Sequence, residues 1–143
     1  VILLDTNVLS ETLRPEPAPE VVAWLNRRFP ECAVSSVTIF ELGAGAAVLP
    51  VGRRRDELEK AVARQIRRFG ARVYAFDAPA AQAAVKIMER ARAQGRGLHQ
   101  IPQKLTDLQI AGIASAYGLE LATRNVADFQ GSGIALIDPW AGS

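Results

Sequence analysis

Val1-Ile2-Leu3-Leu4-Asp5-Thr6-Asn7-Val8-Leu9-Ser10 opens the chain with four aliphatic residues, an abrupt aspartate and a polar step into a second apolar pattern. A continuous run of β-branched and leucine side chains suits a strand buried on both faces, which is the habit of parallel sheets. Residues 6–13 read as a short helix stopped by Arg14-Pro15, so Asp5 stands where a strand ends and a helix begins. Strands and helices then alternate. Pro15, Pro17 and Pro19 make a stiff connection into a helix over 20–28, and 33–35 is a short second strand. Ser35, Ser36 and Thr38 offer hydroxyl caps for a helix through Ile39, Leu42, Ala46 and Leu49, closed by Pro50 and Gly52. Over 54–69, Leu58, Val62, Ile66 and Phe69 fall on one helical face. Residues 72–76 form a third strand, and Asp77-Ala78-Pro79 starts a helix to about residue 94. Gly95 and Gly97 end it and leave a polar loop to Gln103. A helix over 105–117 ends at Gly118, and strands follow at 119–123 and 134–137. Because parallel neighbours need crossover connections, this order predicts a three-layer α/β/α domain around a central parallel sheet of about five strands.

With 143 residues, 49% of them hydrophobic and 22% charged, the chain has the size of one compact domain spanning 1–143. No stretch approaches the roughly 20 apolar residues of a membrane span, and the first residues lack a signal-peptide pattern, so a cytoplasmic protein without membrane contact is expected. The single cysteine, Cys32, has no partner within the chain for a disulfide, and one histidine, His99, is too few for a zinc site. The net charge is +2, with arginines clustered at 27–28, 53–55, 67–68 and 90–96. Such clusters permit an anionic partner, and solvated helix faces look the same.

Ligands of open α/β sheets bind outside the carboxyl ends of the strands. Asp5 sits at such an end, as does Arg124-Asn125-Val126-Ala127-Asp128 after the fourth strand. Glu41, in the first turns of the helix after the second strand, and Asp107, in the first turn of the helix before the fourth, stand over the same edge. Carboxylates in this number suit a hard divalent cation, Mg2+ or Mn2+, which prefers oxygen ligands. Asp5 and Asp107 would hold it, and Glu41 would hold it or orient a water. Each residue also has a local role open to it. Asp5 can cap the next helix, Glu41 lies three residues after Thr38 as in a capping box, Thr106-Asp107 can be a cap and a dipole-favoured acid, and Asn125 and Asp128 can shape a turn. Trp24 and Trp140 read as packing groups and His99 as a solvated loop residue.

Taken together, four stretches resemble the motifs of PIN-domain ribonucleases of the VapC and FitB-like type, the toxins of bacterial toxin–antitoxin pairs. They are residues 1–10, Ser35-Ser36-Val37-Thr38-Ile39-Phe40-Glu41-Leu42-Gly43, Thr106-Asp107-Leu108-Gln109-Ile110-Ala111 and Ala122-Thr123-Arg124-Asn125-Val126-Ala127-Asp128-Phe129. Order and spacing agree over nearly the whole chain, and Asp138-Pro139-Trp140 resembles the FitB-like branch. The resemblance implies a PIN fold, a divalent-metal-dependent endoribonuclease, and catalytic acids at Asp5, Glu41 and Asp107. Where some relatives carry a fourth aspartate this chain has Asn125, with Asp128 a turn later to supply charge, which weighs against a tightly held second metal. Thr6 and Thr123 are placed to fix the carboxylates by hydrogen bonds, and Arg124 and Lys104 to meet RNA phosphate. The resemblance further implies a homodimer, a cognate antitoxin lying over the groove, operator DNA bound through the antitoxin, and a higher toxin–antitoxin assembly.

Two other classes compete. A phospho-accepting receiver or a haloacid-dehalogenase-type phosphatase also places aspartate after its first strand. The phosphatase needs an acid where Asn7 stands, and the receiver needs a late lysine, though none follows Lys104. A non-catalytic binding module would keep the fold but has no use for clustered acids that repel one another.

Overall fold

The computed structural model describes residues 1–97 and 102–141. His99 falls outside them. Five short strands, β1 (Ile2–Leu4), β2 (Cys32–Ser35), β3 (Val73–Tyr74), β4 (Glu120–Ala122) and β5 (Leu136–Ile137), form one sheet in the order β3-β2-β1-β4-β5. Every neighbouring pair is parallel. Leu4 lies opposite Ala122, and that register is extended by one bond beyond the strands, from Asp5 N–H to the Ala122 carbonyl at 2.9 Å.

The pleat sorts the strand residues between two cores. Leu3, Ala33 and Leu121 face α5 (Ala78–Ala93) and α6 (Pro102–Tyr117), where Ile87, Leu108, Ile110 and Ile113 meet them. Ile2, Leu4, Cys32, Val34 and Ala122 face the other way. There they pack on α1 (Thr6–Thr12), α2 (Pro19–Arg28), α3 (Ser36–Ala47) and α4 (Arg53–Arg67) through Leu9, Trp24, Leu42 and Val62. β1 is buried along its whole length, as its unbroken apolar run requires. The expected three layers are present. Gly112 brings two of the helices together: a Cβ there would stand 2.4 Å from the Ala80 carbonyl oxygen and 2.7 Å from Ala84 Cβ, so only glycine lets α6 approach α5 this closely.

Some boundaries differ from the sequence-based expectation. Val1 is exposed and outside β1, and β3 and β5 each keep two residues of the longer stretches expected. The cap of α3 is Ser35 alone: its hydroxyl accepts the Thr38 N–H at 3.1 Å, so Ser36 and Thr38 are not caps and Glu41 closes no capping box. Pro102 starts α6 three residues before position 105, which puts Asp107 beyond the first turn and rules out Thr106 as an N-cap.

Most arginine clusters serve the fold. Arg28, Arg53 and Arg55 pair with Glu31, Glu57 and Glu59. Arg72 donates to the carbonyls of Phe29 and Cys32, and Arg96 gathers those of Ala127, Asp128 and Gln130. Buried Cys32 donates its thiol to the Arg28 carbonyl, and burial pushes its pKa up to about 11. It is an inert core residue. Among the described residues no helix is long and apolar enough to cross a membrane.

Candidate active site

The chain leaves β1 toward β2 and leaves β4 toward β5, so the connections diverge between these adjacent strands and open a crevice at their carboxyl ends. Asp5 and Thr123 are the first residues beyond the two strands. Asp5 is 1% exposed. One oxygen accepts the Thr6 N–H at 2.8 Å and caps α1, while the other accepts the Thr123 hydroxyl at 2.7 Å and the Asn7 amide at 3.3 Å. The capping role and the site role are thus carried by one side chain. Burial, then the nearby charge of Asp107 and more weakly that of Glu41, push the Asp5 pKa up to about 7 against the pull of Thr123 and Thr6.

Glu41 is fixed by hydroxyls from two distant segments. Its Oε1 accepts from Thr6 at 2.6 Å and its Oε2 from Thr106 at 3.0 Å. Because Thr6 gives its only proton to Glu41, its 2.9 Å contact with Thr38 must be one in which Thr38 donates, and Ser35 in turn donates to Thr38 at 3.3 Å. The chain Ser35, Thr38, Thr6, Glu41 therefore runs one way. Asp107 is largely buried and its pKa is raised by that burial; the Asn125 amide at 2.9 Å and the Lys104 ammonium at 4.0 Å work against the rise, and Glu41 and Asp128 add to it. Backbone bonds from Asn125 to the Thr123 hydroxyl and from Arg124 to the Asn7 side chain tie the β4 loop to the β1 loop.

These groups border a groove of about 400 Å³ whose lining includes Glu41, Asp107 and Asn125, with the cations Arg14, Lys104 and Arg124 on its rim. Glu41, Asp107 and Asn125 meet in this lining, and Asp5 lies buried behind it, near enough for the charges of Asp107 and Glu41 to act on it. Asp128 is left outside: that carboxylate sits in the 3-10 turn Val126–Phe129, off the groove lining and 2.5 Å from the Lys104 ammonium. Lys104 is thereby held between Asp128 and Asp107. Arg124 lies over the half-buried Trp140 ring at 5.1 Å, so Trp140 packs rather than projecting as a free stacking surface. Trp24 is a core residue.

Among the described residues no three acids, histidines or cysteines stand close enough to form a ready-made metal cage. The donor chemistry fits a cation all the same: every candidate ligand is a carboxylate oxygen, and burial together with the charge of Asp107 makes Asp5 costly to ionise, a cost that a divalent ion beside them would remove. The residues that could hold it are Asp5, Glu41 and Asp107.

Sequence reasoning missed the site roles of Asn7, Thr38 and Thr106, and the structural clasp of Glu11 and Arg14 beside the groove. The threonines carried only a local signal, that of capping residues. Glu11 carried a local signal too, an acid three residues before Arg14 at the end of the short helix, the spacing of an ion pair. It is 5% exposed, lines the groove, and accepts the Ala18 N–H at 2.8 Å and Arg14 at 3.2 Å.

Residues 2–130 match the family model described as the PIN domain. The chain is 35% identical to a protein named toxin FitB from Neisseria gonorrhoeae, over 98% of this chain and 99% of that one. It is 32% identical to a protein named VapC ribonuclease Y4jK from Sinorhizobium fredii, over 98% of each. The solved structure of FitAB bound to an IR36 DNA fragment superposes with a TM-score of 0.86 at 33% identity, covering 98% of this chain and 96% of the other.

Proposed function

The chain belongs to the PIN-domain family, and from that premise we propose that it is a divalent-metal-dependent endoribonuclease, the toxin of a toxin–antitoxin pair acting in the cytoplasm. The observation that carries the reading is the gathering of buried Asp5 with Asp107 and Glu41 at the β1–β4 crevice, where the charges of the other two raise the pKa of Asp5 beneath a cation-rimmed groove. A structural domain gains nothing from that repulsion. The names of two relatives support the same activity: one is called a toxin and the other a ribonuclease.

On this reading Arg124 and Lys104 draw an RNA phosphate into the groove and set it over the acids. Asp5, Glu41 and Asp107 would hold Mg2+ or Mn2+, or Glu41 would instead orient the attacking water. When bound, such an ion supplies positive charge beside the phosphate and makes a water molecule more acidic. Water adds to phosphorus and releases one proton to solvent, the bond to the leaving ribose oxygen breaks, and that oxygen takes up one proton from solvent, so that the sum is hydrolysis. Thr123 and Asn7 keep Asp5 turned toward the crevice, Thr6 and Thr106 hold both oxygens of Glu41, and Asn125 orients Asp107. Asn125 thus serves as a neutral positioning donor. Asp128 acts at one remove by holding Lys104.

The same reading assigns partners: a homodimer, a cognate antitoxin covering the groove, and operator DNA reached through the antitoxin in a larger assembly. The FitAB structure bound to a DNA fragment supports the DNA-bound assembly. An antitoxin arginine laid on Asp5 and Asp107 would neutralise them and compete with the cation. The test is cleavage of a single-stranded RNA by the purified protein in Mg2+, with EDTA and with Asp107→Asn. Cleavage abolished by both supports the assignment; cleavage indifferent to Asp107→Asn contradicts it. Addition of the antitoxin should stop cleavage at unchanged Mg2+.

A further inference from the structure

The charges of α4 are sorted along its length. Asp56, Glu57 and Glu59 stand in its first half, whereas Lys60, Arg64, Arg67, Arg68 and Arg72 follow with no acid before Asp77. In the first half, Arg53 and Arg55 are tied to acids. Arg64, Arg67 and Arg68 form no ion pair among the described residues. The Arg68 guanidinium lies 4.3 Å from the centre of the Phe29 ring and donates to Gln65, which keeps it placed while it stays charged. Cations at a helix C-terminus complement its dipole, but that does not account for the hollow they border. Arg64, Arg68, Gln65, Thr12 and Leu13 line a depression of about 360 Å³.

This depression neighbours the carboxylate groove through one intervening hollow with shared walls. Leu13 is also a wall of an apolar hollow of about 270 Å³ shared with Leu42, Leu58 and Val62. Ser10, Arg14 and Glu41 in turn line both that hollow and the carboxylate groove. Along α1 the order is therefore acids with a cationic rim, then an apolar hollow, then guanidiniums without an ion pair among the described residues. That alternation matches single-stranded RNA, in which phosphates sit on cations and an unstacked base finds an apolar wall.

We propose that the row of hollows from Arg14 past Leu13 to Arg64 and Arg68 is the track that holds single-stranded RNA to one side of the cut site. This deepens the nuclease reading and rests on it. The track contributes affinity for RNA long enough to reach it and nothing to the bond-breaking step.

The test compares the native protein with Arg64→Gln/Arg68→Gln, neither residue belonging to the catalytic groove. Affinity for a labelled RNA of roughly 12 nucleotides is measured in EDTA over a range of salt, and cleavage of that RNA and of one of about 4 nucleotides is measured in Mg2+. The double variant should bind the longer RNA about tenfold more weakly, with the salt slope reduced by roughly 1.4 for two lost phosphate contacts. It should cleave the shorter RNA within about twofold of the native rate, and Arg64→Lys/Arg68→Lys should restore most of the affinity. Unchanged affinity for the longer RNA, equal losses on both lengths, or a loss confined to antitoxin binding or self-association would overturn the track. Failure of the nuclease reading looks different: neither RNA would be cleaved in an Asp107-dependent way, while the affinity measurement would still decide on the track.

Discussion

Asp5 and Glu11 sit at opposite ends of the same short helix, both nearly devoid of solvent contact, and their acidities move in opposite directions. Glu11 accepts a backbone N–H from Ala18 and a guanidinium from Arg14, and these hold its pKa below the ordinary range despite burial. Asp5 has hydrogen bonds of similar quality, yet burial and the charge of Asp107 push it up to about 7. The difference lies in charge. The Glu11 clasp has its own cation, whereas the Asp5 crevice gathers acids and has Lys104 on its far side, already engaged by Asp128. A buried acid satisfied by its own chain is architecture; one left short of positive charge marks where something outside the chain is meant to bind.

If that contrast is right, substitutions in the two regions separate activity from stability. Asp107→Asn should lower Mg2+-dependent RNA cleavage more than about 100-fold, since replacing a ligand costs more than replacing a residue behind one. Its circular dichroism and melting temperature should stay near native. Thr123→Val, which removes the hydroxyl donated to Asp5, should lower cleavage by about tenfold and raise the metal concentration needed. Glu11→Gln should do the reverse, lowering the melting temperature by roughly 5 °C while leaving cleavage per folded molecule within twofold, because it weakens the loop from α1 to α2 and no carboxylate of the crevice. Loss of cleavage in Glu11→Gln at full folding would erase the distinction.

The smallest effect is one of pH. Because the folded-state pKa of Asp5 is raised, the folded protein holds more protons than the unfolded chain between about pH 4 and pH 7, so stability without metal falls as pH rises through that window. The metal-free protein should melt a few degrees higher at pH 5.5 than at pH 8 from this source. Mg2+ should raise the melting temperature more at pH 8, and Asp5→Asn should flatten both dependences. Differential scanning calorimetry of the two proteins reads all three.

The sequence carried the layers and the site edge because both depend on local pattern. An unbroken apolar run can only be buried on two faces, and an acid straight after it can only stand at a strand end. Membership of a site was legible for Asp5, Glu41 and Asp107 through four motifs in order. What could not be read was long-range pairing. Thr106 meets Glu41 across 65 positions and nothing within a turn of it predicts that partner, whereas Thr123, which meets Asp5 across 118, was expected to steady a carboxylate only through the motif that contains it. Asp128 and Asn125 lie on one loop three residues apart, and only the turn of Val126–Phe129 decides that Asn125 faces Asp107 while Asp128 faces Lys104.

The account turns on a divalent ion shared by the acids of the crevice, and manganese makes that ion visible. Anomalous diffraction from crystals soaked in Mn2+ should show a peak beside Asp107 and Asp5 in native protein and none there in Asp107→Asn. A native crystal with no manganese in the crevice, from protein that cleaves RNA equally well in EDTA, would contradict it.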